Sequence, residues 1–264
     1  MPEGDSVAGH AERLRRVLVG ERIDEAAGTS ASVRSNSARL LGATCMEVRS
    51  VGKNLVIDFS TGYSVRVHLG MTGRWRVTQR DTEAHGSARL VLATAIHRAA
   101  CYAAPTIEVV RTPAVSALFD NLGPDLLGDF DEKSFVARAR ALADGPIAGL
   151  LLDQRALAGI GNVYKSELLF LERIHPETPV SRLGDDTLQA IAERARRLLS
   201  ANVGSGRRST TGSRRRGQEM WVYGRGGRPC RRCGTTVVGS RLLDRVTYWC
   251  PRCQPPGPRS GSSG

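Results

Sequence analysis

Four of the six cysteines fall in two pairs, Cys230/Cys233 and Cys250/Cys253, spaced C-x2-C-x16-C-x2-C. Two short knuckles of that spacing can deliver four thiolates tetrahedrally to Zn2+, and the segment between them suits a β-hairpin. Disulfides are the competing reading, disfavoured where no secretion signal is expected, and a redox CxxC needs no second pair at this distance. A four-cysteine site is closed, so it offers no open position for catalysis and must hold something else in place. Arg241 and Arg245 lie between the pairs. A metal-fixed hairpin carrying arginines is suited to gripping a phosphate. Cys45 and Cys101 lie in strand-like sequence and are expected to be ordinary buried thiols.

A second reactive arrangement opens the chain, MPEGDS. Removal of Met1 before a small residue would leave Pro2 as the N-terminus, a secondary amine beside the carboxylate of Glu3. Most N-termini are merely solvated, so these residues alone do not decide between chemistry and a loose end. Lysine is rare: only Lys53, Lys133 and Lys165 occur among 38 basic residues. Where arginine is used so consistently, each lysine raises the question of what a compact, flexible ammonium does there.

These residues need elements to position them. Ala8 to Val19 has helical spacing and stops at Gly20. The runs MEVRSVGKNLVIDF, YSVRVHLG, RWRVTQ, ARLVLATA and PTIEVV are short, rich in β-branched residues and broken by polar clusters, as strands of an antiparallel assembly are. One helix followed by many strands implies a two-sheet β-sandwich. The pattern stops at NLGPDLLGDFDEKSF, where a helix start is expected over Asp131 to Phe135. Four helices should follow, from SFVARARALA, GPIAGLLLDQ, NVYKSELLFLERI and DDTLQAIAERARRLLSANV. The polar stretch GSGRRSTTGSRRRGQEM reads as a mobile loop and the tail as disordered. The α+β chain thus divides into a sandwich over 1–124, a helical region over 125–217, a four-cysteine finger over 218–254 and a tail over 255–264.

The formal net charge is +12, and from Glu193 to Arg252 fifteen arginines face three acids. Such an excess favours a polyanion, most commonly nucleic acid. No apolar run reaches the ~20 residues of a membrane span, and acids and arginines are mixed through the first twenty residues, so a cytoplasmic protein is expected.

The motifs, in order, resemble those of the bacterial formamidopyrimidine-DNA glycosylase and endonuclease VIII family of base-excision repair enzymes. The resemblance rests on the N-terminal PEG, RSVGKNLVIDF, HLGMTG, NLGPDLL, LLLDQRALAGIGNVYKSELLF, and VYGRGGRPCRRCG through TYWCPRC, and extends to Cys253. It implies a β-sandwich, a helix-two-turn-helix region and a zinc-finger hairpin, with damaged DNA in the cleft between. It further implies a bifunctional glycosylase and abasic-site lyase, working through a Pro2 Schiff base and β,δ-elimination. Glu3 is then the general acid and base, and Lys53 a phosphate-contacting lysine that assists catalysis. Arg245 becomes the finger arginine that clamps the phosphates of the flipped nucleotide. His68, Met71, Asn162 and Tyr223 join Arg245 as DNA contacts, with Asn162 at the N-cap of its helix and Met71 entering the gap left by the extruded nucleotide. Lys165, the rival amine, is expected near DNA phosphates at most.

One structural Zn2+, no organic cofactor, a monomer, a bacterial nucleoid setting and duplex, bubble or single-stranded DNA complete the implied picture. The Arg-Arg-Phe-Gly stretch of the oxidised-purine branch is missing from AAPTIEVVRTPAVSALF, and Gly70, Met71 and Thr72 replace the Gln-Leu-Tyr that follows the histidine in the endonuclease VIII branch. Asn121 stands where that branch has arginine, and Asp5-Ser6 where Pro-Glu is usual. The loop after the last helix lacks the segment that caps 8-oxoguanine. The chain therefore reads as closer to the endonuclease VIII branch and its oxidised pyrimidines. An oxidised-purine glycosylase and a non-catalytic damaged-DNA-binding relative are the alternatives.

Overall fold

The computed structural model describes residues 2–242 and 244–256. Two compact units divide the chain, Met1–Asn121 and Leu122–Gly264. In the first, helix α1 (Gly4–Leu18) buries Val7, Ala11, Leu14 and Leu18, a stripe at helical spacing. Eight strands follow: β1 (Glu25–Ala27), β2 (Cys45–Val51), β3 (Asn54–Phe59), β4 (Tyr63–His68), β5 (Arg74–Gln79), β6 (Ala88–Ala93), β7 (His97–Tyr102) and β8 (Thr106–Arg111). They make two antiparallel four-stranded sheets, ordered β2-β3-β4-β8 and β1-β6-β7-β5. Alternate residues Leu55, Ile57 and Phe59 meet Leu90, Leu92, Ala99 and Cys101 in one buried core. Cys45 and Cys101 belong to it, and burial pushes both thiols up to about 12.

Three elements escape the sequence pattern. Helix α2 (Ala31–Leu40) is rich in Ser and Asn and buries only Val33 and Leu40. Its intrinsic propensity is poor, and packing against β1 and β8 sustains it, with Ser32 Oγ accepting from the Val109 amide at 2.9 Å. Strands β1 and β7 have sequences that favour no strand, but β7 pairs on both sides, with β5 and β6.

The second unit holds α3 (Glu132–Ala141), α4 (Ile147–Leu150), α5 (Asn162–Leu171) and α6 (Asp185–Asn202), then the hairpin β9 (Val238–Leu242) and β10 (Arg245–Trp249). Asp131 caps α3, its carboxylate accepting from the Lys133 and Ser134 amides, where the sequence placed a helix start. Four helices are present as expected, α4 being a single turn. The stretch 204–220, expected as a mobile loop, has no regular structure, yet it is tied down along its length. Ser209 donates its amide to Asn202 Oδ1 at 2.7 Å, the Thr210 amide donates to the Glu219 carbonyl at 2.8 Å, and Thr210 Oγ1 donates to buried Glu167. Polar composition marked the loop, but long-range partners decide its order. Of the tail, residues 257–264 lie outside the described residues.

Candidate functional site

Glu3 caps α1 in an extended conformation, and its carbonyl accepts from the Ser6 and Val7 amides at 3.0 and 3.1 Å. Its side chain is fully buried and makes no hydrogen bond to the helix's own amides. The positive end of the helix dipole favours a carboxylate here. Pro2, immediately before it, is half-buried.

The direction of α1 follows from two contacts. Val19, just past the helix, bridges to Cys45 at the start of β2, and Arg15 donates to the Val48 carbonyl at 2.8 and 3.1 Å. Moving toward the N-terminus of α1 therefore moves along β2 toward its end. From Arg15 to Glu3 the helix climbs about 18 Å at 1.5 Å per residue.

Lys53 occupies a two-residue β2–β3 turn, closed by the pairing of Val51 with Asn54. Gly52, at φ +56°, supplies the left-handed residue that such a tight hairpin requires. His68 ends β4 directly opposite Asn54. Burial, then the charges of Arg66 and Lys53, lower its pKa, and a hydrogen bond with the Lys53 backbone works against them. Lys53 and His68 are therefore immediate neighbours. Beyond His68 the chain turns sharply, Gly73 donating its amide to the Leu69 carbonyl at 2.8 Å. Gly70 sits at φ +59° against Pro105, whose ring would lie 2.7 Å from any Cβ added there. The turn leaves Met71 66% exposed at its tip.

Sequence reading missed what braces this corner. Asn54 is buried, and its Oδ1 accepts from Arg66 Nε at 3.1 Å. Arg66 in turn pairs with Glu108 at 2.9 Å and lies over the Phe119 ring. Alternation in β3, β4 and β8 was the available signal: these polar residues share one face of their sheet.

In the second unit α5 carries the next group. Asn162 is not the N-cap; Gly161 is, and Asn162 is the first helical residue. Its Nδ2 instead donates to the Val246 carbonyl of β10 at 2.8 Å, while its Oδ1 is buried without a hydrogen-bond partner. Lys165 is not offered to solvent or DNA: it is 1% exposed, and its Nζ donates to Thr247 Oγ1 at 2.7 Å. An inward-facing ammonium on a thin stem answers why lysine stands there. The turn before α5 is organised by Gln154, which donates to the carbonyls of Leu152 and Ile160 and accepts from the Gly159 amide.

Arg245 begins β10 and pairs with Leu242, whereas Arg241 pairs with Val246. Strand alternation sends the two arginines to opposite faces. Arg245 shares its face with Thr247, the partner of Lys165, so it is exposed on the α5 side, one residue from the Asn162 contact. Tyr223 is half-buried, its ring edge-on to Tyr248 at 5.3 Å. Its amide and those of Trp221 and Val222 donate to Glu167 at 2.7–2.8 Å. Burial pushes that carboxyl up, opposed by these donors and Thr210. Nothing in local spacing revealed Glu167, because its partners lie 43 to 56 residues away.

The four sulfurs of Cys230, Cys233, Cys250 and Cys253 all lie within 4.8 Å of one another. Cys230–Cys253 is 3.9 Å and Cys233–Cys250 3.4 Å. A tetrahedral Zn2+ with ~2.3 Å bonds needs sulfurs about 3.8 Å apart, so the set fits. The hydroxyl and then the amide of Thr235 bring the Cys233 thiol down to about 6, and the Arg232 amide donates to Cys230 Sγ. These four residues hold one structural zinc. Around them Phe170 of α5, Val222 and Val237 form a small core, with Trp221 stacked on Phe170 at 5.5 Å.

Comparison with known proteins agrees across the chain. Residues 1–105 match the formamidopyrimidine-DNA glycosylase N-terminal domain, 122–213 its H2TH domain, and 227–256 the zinc finger found in FPG and IleRS. The chain is 40% identical over 271 residues to the probable endonuclease 8 2 of Streptomyces coelicolor, covering 99% of this chain and 97% of that protein. It is 42% identical over 258 residues to a DNA-(apurinic or apyrimidinic site) lyase of Mycolicibacterium smegmatis, covering 96% and 99%. The fold is similar to Lactococcus lactis formamidopyrimidine-DNA glycosylase bound to DNA containing an abasic site, with TM-score 0.85, 26% identity and coverage of 96% and 100%. With its sandwich, its helical region and its four-cysteine hairpin all matched in order, the chain belongs to the formamidopyrimidine-DNA glycosylase and endonuclease VIII family.

Proposed function

We propose that this chain is a bifunctional DNA glycosylase and abasic-site lyase of base-excision repair, acting on oxidised pyrimidines through Pro2. The observation that carries the reading is a fully buried Glu3 at the head of α1, with Pro2 immediately before it, in a unit where Lys53 and His68 are neighbours. Once Met1 is removed, the freed Pro2 nitrogen attacks C1′, the glycosidic bond breaks, and the base leaves with its electron pair and is protonated. Glu3 gives a proton to the sugar ring oxygen as the ring opens, and loss of the amine proton leaves an iminium. The iminium acidifies C2′; removal of that proton expels the 3′ phosphate, and a second elimination expels the 5′ phosphate. A model α-amino group has a pKa of ~8 against ~10.4 for lysine, which favours an N-terminal amine as nucleophile near pH 7. Lysine offers no rival in α5, since Lys165 is buried against Thr247.

Lys53, His68, Asn162, Tyr223 and Arg245 take the DNA contacts, and Met71 enters the vacated stack. We read the second unit as two modules, a helical one over 125–217 and a finger over 218–254. The chain works as a monomer in the bacterial cytoplasm, at the nucleoid. Kinship with bacterial proteins named endonuclease 8 2 supports this, and among the described residues no helix is long and apolar enough to cross a membrane. The pyrimidine preference is tested by excision from duplexes carrying single oxidised bases. Faster release of oxidised pyrimidines than of 8-oxoguanine or formamidopyrimidines is expected. The reverse order would favour the purine branch.

A further inference from the structure

The arginine-rich stretch after α6 is not used by the chemistry above, and its architecture differs from that of a solvated linker. Its base is fixed by Asn202, which accepts from the Ser209 amide and donates to the Ser209 carbonyl at 2.9 Å. Ser209 Oγ donates to the Ser213 carbonyl at 2.7 Å, and Thr211 Oγ1 donates to the Gln218 carbonyl at 2.6 Å. The Gln218 amide closes a turn onto the Arg215 carbonyl at 3.0 Å. Arg231 holds the outgoing strand through the carbonyls of Gly217 and Met220. Arg208, at the entry, lies over the ring of Tyr164 in the first turn of α5 at 5.0 Å. The closed tip carries Arg214, Arg215 and Arg216, all exposed.

Among the described residues none of these three arginines is paired with a carboxylate. The two acids of the neighbourhood are engaged elsewhere: Glu219 with Arg207 at 3.1 Å, and Glu167 with Thr210 and the 221–223 amides. Three adjacent like charges repel, and nothing in the loop compensates them. Their backbone is nevertheless ordered in advance, so a partner need not meet the ~1–2 kcal/mol per residue that ordering a free segment costs. Such a tip suits a rod of evenly spaced negative charge better than one anion, because side chains fanning from a turn reach successive groups.

We propose that the tip Ser213–Gln218 is a second phosphate grip, in which Arg214, Arg215 and Arg216 hold the phosphodiester backbone of the DNA. This rests on the reading that DNA is the substrate. Contacts to the backbone carry no sequence or lesion information, so the grip adds affinity and salt dependence without altering which base is excised.

The test compares the wild type with the chain carrying Arg214→Gln, Arg215→Gln and Arg216→Gln, and with the corresponding triple Lys chain, for binding to undamaged duplex between 50 and 200 mM salt. Each phosphate contact contributes a log-log slope of about −0.9, so over this range the wild type should lose about 40-fold more affinity than the Gln chain. The Lys chain should keep the wild-type slope, because a point charge suffices for counterion release. Single Gln variants should each recover about 3- to 4-fold of the salt-induced loss. Zinc content monitors folding of each variant. Equal slopes for the wild type and the Gln chain would overturn the proposal, as would a Gln chain with unchanged slope and an altered ranking of damaged bases. Wild-type protein is trapped on abasic DNA with borohydride in parallel. Failure there would remove the enzymatic reading and leave the comparison of slopes intact.

Discussion

Glu3 joins two demands in one carboxylate: it stands at a helix N-terminus and is itself withdrawn from water. A group so held can pass a proton to a sugar oxygen without competition from solvent. Glu3→Gln keeps the shape and removes the proton. Excision of a damaged base should fall by about 10^2- to 10^4-fold, the usual worth of a positioned general acid. Schiff-base formation on a preformed abasic site should suffer much less, because its sugar already opens to an aldehyde. Equal losses in both assays would show that Glu3 serves the fold instead. The reactive types were legible in the sequence: four cysteines at fixed spacing, and a proline with a glutamate at the start. Asn54, Arg66 and Glu167 were not, because each makes its bonds to groups that only folding brings near. The same reason moved Asn162 from a cap to a cross-brace on Val246.

At the scale of elements, the hairpin β9–β10 depends on two supports. The zinc ties its base, and α5 grips β10 through Asn162 on Val246, Lys165 on Thr247 and Ser166 Oγ on the Tyr248 amide. The surrounding core is small, so the metal must carry most of the order, as zinc of this type does when its binding energy is folding energy. One zinc per chain is expected. Removing it with a chelator, or by Cys250→Ser, should weaken DNA binding about 10-fold or more, by releasing an arginine–phosphate bond worth about 1.5–3 kcal/mol. Undiminished affinity in metal-free protein would mean that the α5 grip alone sets Arg245. Strong periodic elements such as α1 and β3 were plain in the sequence. Helix α2 and strand β7 were hidden, since one is a weak helix former kept by its neighbours and the other owes its conformation to pairing on both edges.

For the molecule as a whole, a net charge of +12 draws it to DNA, but charge does not extrude a nucleotide. That step costs a few kcal/mol of unstacking. Met71 is the large apolar side chain exposed at the 69–73 turn, and Gly70 beside it cannot be enlarged against Pro105. Only residues 103–105 join β7 to β8, so no long loop adds a further wedge there. Excision should therefore discriminate weakly among opposite bases and proceed unusually well from bubbles or single strands, where unstacking is already partly complete. Strong preference for one opposite base, with negligible single-strand activity, would show that other residues fill the gap.

Whether the amine of Pro2, freed by removal of Met1, forms the bond to the sugar is read by covalent trapping. The protein is incubated with abasic DNA and borohydride, and the site of attachment is mapped by mass spectrometry of the digested adduct. One DNA remnant per chain is expected, on the nitrogen of Pro2, with the same adduct when Lys165 is replaced by Met. Attachment at Lys53 or Lys165, or no adduct at all, would contradict the assignment to Pro2.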